Sequence, residues 1–178
     1  MKHPPPFFAR AWHTANRDTL LNPPIKEWAR FYLTRSTVSV DPFARNSSLA
    51  NWTNDLNPET AANFHMDAFD FLLHLKKEGV TCDLCIFDPP YSRAQVKECY
   101  EGVGRHFGQA DSQGFTGNWK KERDALDSIL APGGVVLSFG WNSSGMTLAR
   151  GYTLESVLLV CHGGAHHDTI CIAERKQS

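Results

Sequence analysis

The run Cys82-Asp83-Leu84-Cys85-Ile86-Phe87 is apolar at five of six positions and stops where Pro89 and Pro90 begin. So short an apolar run reads as a buried strand. Proline has no N–H to donate to a ladder, so the strand ends at Phe87 and Asp88 stands at its carboxyl end. Further strands are expected at Thr37-Val38-Ser39-Val40, which ends at Asp41-Pro42-Phe43, and at Asn51-Trp52-Thr53-Asn54. Phe64-His65-Met66 and Val135-Val136-Leu137-Ser138-Phe139 read the same way, and the apolar runs on either side of Gly163-Gly164 read as a closing hairpin. Between them lie helices. Pro4-Pro5-Pro6 is an extended lead-in, and Asn22-Pro23-Pro24 opens a helix with Ile25, Trp28, Ala29 and Tyr32 at helical spacing. Asn57-Pro58-Glu59-Thr60 opens a helical turn, Asp67 caps a helix running through Lys77, and another helix starts near Trp119.

Strands alternating with helices and finishing in a hairpin predict an α/β layered domain whose sheet is mostly parallel with a terminal antiparallel hairpin. Ligands of such sheets bind beyond the carboxyl ends of the strands. Only residues 44–50 separate the first two strands. A parallel crossover usually takes a dozen or more residues, so the first crossover helix is expected to be reduced or missing.

At 178 residues and 42% hydrophobic content the chain suits one core, and a single domain over residues 1–178 is expected. No apolar run approaches a membrane span and the first residues lack a signal-peptide core, so the default expectation is a cytoplasmic enzyme without a membrane partner. Five cysteines without regular spacing fit a reducing compartment. Cys82 and Cys85 fall inside the apolar run and read as structural thiols, and His162, His166 and His167 as a polar turn, so no metal is expected. A net charge of −1 gives no global pull toward nucleic acid, although residues 1–36 hold six cations against two acids.

Asp88-Pro89-Pro90-Tyr91 carries the chemistry. The lone pair of an exocyclic amino group on a nucleobase is delocalised into the ring and is a poor nucleophile. A carboxylate accepting one N–H and a backbone carbonyl accepting the other localise that lone pair and aim it at a methyl donor. Asp88 supplies the first acceptor and the Pro89 carbonyl the second, held by the fixed φ of Pro89 and Pro90. An unperturbed aspartate, pKa about 3.9, cannot deprotonate an amine outright, so its part is hydrogen-bond acceptance. Tyr91 offers a face on which an extruded base stacks.

On these residues the chain resembles the amino-methyltransferase family, in particular the small phage-type adenine-specific DNA methyltransferases. Aspartate at the first position of the tetrapeptide resembles the adenine branch, since serine is commoner there in the cytosine-N4 branch. The resemblance implies a Rossmann-like methyltransferase sheet, S-adenosylmethionine as cofactor and transfer of its methyl group to adenine N6. It places Asp41-Pro42-Phe43-Ala44 beside the methionine part of the cofactor, Asp55 on the ribose hydroxyls with Leu56 packing on the cofactor's adenine, and Asp67 with Ala68 at that adenine's amino group. Trp12 and His13, in Trp12-His13-Thr14-Ala15-Asn16, match its amino-terminal cofactor motif.

Two departures stand out. The family has glycines where this chain has Arg45 and Ser47, at a turn that approaches the cofactor closely. The family's extra target-recognition domain has no counterpart, which leaves residues 92–118 as a local recognition loop. Arg93 and Lys97 in it, with Lys120 and Lys121 beyond, are candidate phosphate contacts. Low or short sequence specificity follows, or a homodimer that completes the DNA site. The competing expectations are methylation of RNA adenine or another amino group, and a non-catalytic methyltransferase-like subunit that binds nucleic acid.

Overall fold

The structure, a computed structural model, describes residues 4–108, 119–164 and 166–177. One seven-stranded sheet carries it. In chain order the strands are β1 (Phe8–Trp12), β2 (Ser39–Asp41), β3 (Trp52–Thr53), β4 (Cys82–Phe87), β5 (Leu130–Gly140), β6 (Tyr152–Cys161) and β7 (Thr169–Lys176). The helices are α1 (Pro23–Leu33), α2 (Ala68–Lys77), α3 (Arg93–Gly102) and α4 (Lys120–Asp127). The spatial order is β1-β6-β7-β5-β4-β2-β3, and β7 alone runs against its neighbours. The α/β sheet, mostly parallel and closed by an antiparallel hairpin, is as the sequence predicts.

β4 lies between β2 and β5, so its side chains are buried on both faces. Leu84 and Ile86 point into a core under α1 with Ile25, Trp28 and Tyr32, whereas Cys82, Cys85 and Phe87 point into a second core with Phe71, Leu72 and Leu75 of α2 and Leu126 of α4. The apolar spacing of α1 is what lays it on the sheet. Trp28 is anchored there by an indole N–H donating to Ser156 Oγ of β6 at 3.0 Å. Pro23 and Pro24 start that helix at positions whose N–H groups have no intrahelical acceptor anyway.

As expected from its length, the segment between β2 and β3 has no helix: residues 42–51 form turns, and Leu49 and Ala50 pack into the α1 core. Other expectations are corrected. Phe64 makes only an isolated parallel bridge with Asn54 instead of starting a strand. Residues 57–60 make a turn and not a helix. β1 was not expected; a five-residue stretch with Pro4-Pro5-Pro6 ahead of it gives too weak an alternation, and it forms by pairing in parallel with β6 at the sheet's edge.

Candidate active site

β2 and β4 are parallel neighbours, so their carboxyl ends put Asp41 and Asp88 side by side. Both line a cleft of about 190 Å³ whose other walls are the turn through Arg45 and Ser47 and the segment from Asp18 to Leu21. The Asp88-Pro89-Pro90-Tyr91 segment leads directly into α3, whose first turn is fixed by a reciprocal capping box between Ser92 and Gln95. The Gln95 side chain also accepts from the Tyr91 N–H at 2.6 Å, which ties the far end of the tetrapeptide to the helix.

Asp88 has a local donor. The Tyr91 hydroxyl donates to its Oδ1 at 2.5 Å, and Thr19 Oγ1 lies 3.2 Å from the same hydroxyl. Burial raises the pKa of Asp88, and the hydrogen bonds from Tyr91 and Thr19, with the charge of Arg45, pull it partly back. Burial, then the neighbouring Asp88 charge, pushes the Tyr91 phenol well up, so Tyr91 remains the donor. Its ring is half-buried against the α1 core. The Tyr91 hydroxyl is thus committed to Asp88, while part of its ring stays exposed.

Asp41 is 1% exposed, and its Oδ1 accepts from the Phe43 N–H at 3.1 Å. Burial drives its pKa well above the ordinary carboxylate range, and the charges of Asp88 and Asp55 add to the rise. Asp18, Asp41 and Asp88 line one cleft together with Lys26 and Arg45.

Arg45 occupies the left-handed region, φ 52°, at a position where the resembled family has glycine. That backbone costs a side-chain-bearing residue roughly 1–2 kcal/mol. It is held there from both ends. The Arg45 N–H donates to Asp55 Oδ2 at 3.0 Å, and its guanidinium donates to the Arg17 carbonyl at 2.9 Å and pairs with Asp18 at 3.0 Å. The turn keeps its glycine-like path, with an arginine spanning the cleft wall.

The remaining sequence-predicted residues divide. Phe43 and Ala44 line the cleft; Pro42 is buried, and its carbonyl accepts from Asn54 Nδ2. Asp55 follows β3, its Oδ2 taken by Arg45 and its Oδ1 by the Asn57 N–H at 2.8 Å, with Leu56 half-buried beside it. Asp67 caps α2 through the Phe69 N–H at 3.0 Å and accepts the Tyr100 hydroxyl at 2.6 Å, with Ala68 opening the helix. Trp12 and His13 are not brought to the cleft. β1 carries them to the opposite edge of the sheet, and Asp18 to Leu21 line the cleft instead.

Arg93 and Lys97 are exposed on α3, and Lys120 and Lys121 on α4. Lys97 pairs with Glu101 at 3.6 Å, Lys120 with Asp124 at 2.8 Å, and Lys121 lies 5.3 Å from the Phe69 ring. The part of the expected recognition loop at 109–118 lies outside the described residues. Cys82 and Cys85 are wholly buried, and among the described residues no group of His, Cys, Asp or Glu is arranged to hold a metal ion. No helix among them is long and apolar enough to cross a membrane.

Sequence reasoning missed Thr19 and Trp141. Trp141 follows Gly140 at the carboxyl end of β5, its ring edge-on to Tyr91 at 5.7 Å between centroids. The strand-end rule that singled out Asp88 applies equally to it.

No protein-family model and no curated protein matches the sequence. Solved structures do. The inferred methyltransferase SMU.776, complexed with SAH, matches with a TM-score of 0.54 at 15% identity over 84% of this chain and 49% of its own. The inferred methyltransferase yhhF from Escherichia coli matches with 0.52 at 13% identity, over 87% of this chain and 86% of its own. The chain has a methyltransferase fold. TrmN from Thermus thermophilus also matches, with 0.51 at 16% identity over 86% of this chain and 48% of its own. The chain therefore spans about half the length of SMU.776 and of TrmN. In this methyltransferase fold the cleft and the Asp88 tetrapeptide occupy the carboxyl ends of β2 and β4, where the topology of open parallel sheets places ligands.

Proposed function

We propose that this chain is an S-adenosylmethionine-dependent methyltransferase acting on the exocyclic N6 amino group of adenine in DNA, with low or short sequence specificity. The observation that carries the reading is the placement of Asp88-Pro89-Pro90-Tyr91 at the mouth of the cleft that Asp41 and Arg45 line. S-adenosylmethionine supplies an electrophilic methyl group on a cationic sulfonium centre. The donor set fits it, since the carboxyl groups of Asp18, Asp41 and Asp88 line the cleft as hydrogen-bond acceptors. Ala44 and the Arg45 turn offer close backbone, and Asp55 keeps lone pairs for ribose hydroxyls.

The chain's own work is to hold the amine. Asp88 accepts one N–H of the amino group and the Pro89 carbonyl the other, so the nitrogen lone pair is turned toward the cleft. Tyr91 and Thr19 fix the Asp88 carboxylate before substrate arrives. After methyl transfer the proton shed by nitrogen passes to Asp88 or to water. Burial raises the proton affinity of Asp88, which favours that transfer.

The test incubates the chain and S-adenosylmethionine with unmethylated DNA, RNA and protein, then digests the products for nucleoside and amino-acid mass spectrometry. N6-methyladenine in DNA is the expected product. Methylation confined to RNA, to another base or to protein refutes the assignment, and no cofactor binding by calorimetry refutes the enzyme.

A further inference from the structure

Two cationic side chains, Lys26 and Arg45, line the cleft, and they differ in what holds them. Arg45 is committed, its guanidinium donating to the Arg17 carbonyl at 2.9 Å and pairing with Asp18 at 3.0 Å. Lys26 is not: its ammonium has no ion pair or hydrogen bond among the described residues. It stands at the rim of the cleft. The side chain is exposed, and on its outer side it borders a surface hollow with Pro23, Glu27 and Arg30 of α1.

α1 starts at Pro23, so Lys26 closes its first turn, a turn that holds no acidic residue. The first turn of a helix carries partial positive charge and favours anions, so an unpaired lysine there works against the helix's own stability. Helix end and ammonium together make the α1 wall of the cleft positive. The walls that come from the sheet carry acceptors instead, because Asp41 and Asp88 stand at the carboxyl ends of β2 and β4. Asp41 Oδ1 accepts from the Phe43 N–H at 3.1 Å, which leaves Oδ2 for a ligand. An unengaged cation on one wall and carboxyl groups on others fit a ligand that carries both signs. A phosphodiester carries negative charge only, and would bring it against Asp18, Asp41 and Asp88.

Resting on the function proposed above, we propose that Lys26 binds the carboxylate at the amino-acid end of S-adenosylmethionine, with Asp41 Oδ2 accepting from the ammonium of the same end. That end is a zwitterion, and its carboxylate is the cofactor's one formal negative charge. Asp88 is left to the substrate amine. Lysine suits the position, since its flexible four-carbon stem lets a hydrated ammonium at the rim swing into the cleft when an anion arrives. Arg45 cannot take this part without giving up the contacts that hold its turn.

The experiment is calorimetry with S-adenosylhomocysteine and with its decarboxylated analogue, which keeps the ammonium. Lys26→Ala should weaken S-adenosylhomocysteine by about tenfold, the low end for a hydrogen bond between charged groups because Lys26 stands at the rim. It should not weaken the analogue, and that undiminished binding shows that the variant remains folded. Lys26→Arg should retain most of the affinity, and Lys26→Glu should lose more than the alanine variant. An alanine variant that binds S-adenosylhomocysteine like wild type, or that weakens both ligands alike, overturns the assignment of Lys26 and leaves the cofactor reading standing. Unchanged S-adenosylhomocysteine affinity with weakened binding of DNA overturns it in favour of a substrate phosphate. A wild-type chain that binds neither ligand overturns the cofactor reading, and this assignment with it.

Discussion

Tyr91→Phe removes one hydroxyl and nothing else, because the ring's packing against the α1 core and its edge contact with Trp141 are kept. What is lost is the 2.5 Å donation to Asp88 Oδ1, with the 3.2 Å contact to Thr19 Oγ1. A hydrogen bond to a charged group is worth about 1.5–3 kcal/mol, so kcat should fall by roughly 10- to 150-fold if the fixed carboxylate is what aims the amine. The pH dependence gives an independent reading. Burial already raises the pKa of Asp88 and the Tyr91 hydrogen bond opposes the rise, so its removal must raise that pKa further. The active form is the carboxylate. The acid limb of the kcat profile should therefore move to higher pH, with the deficit largest at low pH. Steady-state methyl transfer across a pH series, with calorimetry for S-adenosylhomocysteine, measures both. Unchanged kcat together with an unmoved acid limb would show that the Tyr91–Asp88 bond has no part in catalysis.

Asp88→Ala should lower turnover by about 10²–10³ or more with cofactor affinity little changed, which the same transfer assay and calorimetry check. Asp41→Asn should raise Tm at neutral pH while weakening cofactor binding: the folded pKa of Asp41 is raised, so its contribution to stability is fully present below the ordinary carboxylate pKa and is lost as pH rises through the folded value. An unchanged Tm in thermal melts would count against that cost of burial. Arg45→Ala should be less stable than Arg45→Gly by about 1 kcal/mol in urea denaturation, because only glycine takes φ 52° without cost. Asp55→Ala should weaken cofactor affinity by roughly 1.5–3 kcal/mol in calorimetry, and unchanged affinity would remove it from the ribose site.

The place of Asp88 at a strand's carboxyl end was legible because β4 is a short, almost wholly apolar run closed by prolines, a pattern set by local chemistry alone. The absence of a helix between β2 and β3 was equally readable from loop length. β1 was not, since Phe8–Trp12 becomes a strand only by pairing with residues about as far away as the chain allows. The contacts of the Tyr91 hydroxyl with Asp88 and Thr19 were not readable, because Thr19 is remote in sequence. Arg45 looked like a defect in a glycine turn. The compensating donors to Asp55, Arg17 and Asp18 are contacts that only the folded chain shows.

The pairing of β1 with β6 also has a kinetic side. Phe8 to Trp12 find their partners at Val157 to Cys161, Trp28 of α1 reaches Ser156, and Ser156 in turn donates to the Pro6 carbonyl. Contacts of such sequence separation close late, after the loop entropy of nearly the whole chain has been spent. The cleft wall from Asp18 to Leu21 hangs between β1 and α1, so it is assembled only when the carboxyl-terminal hairpin is in place. Until then Ile25, Trp28 and Tyr32, buried in the folded chain, stay uncovered, the kind of transiently exposed apolar surface on which chaperones act.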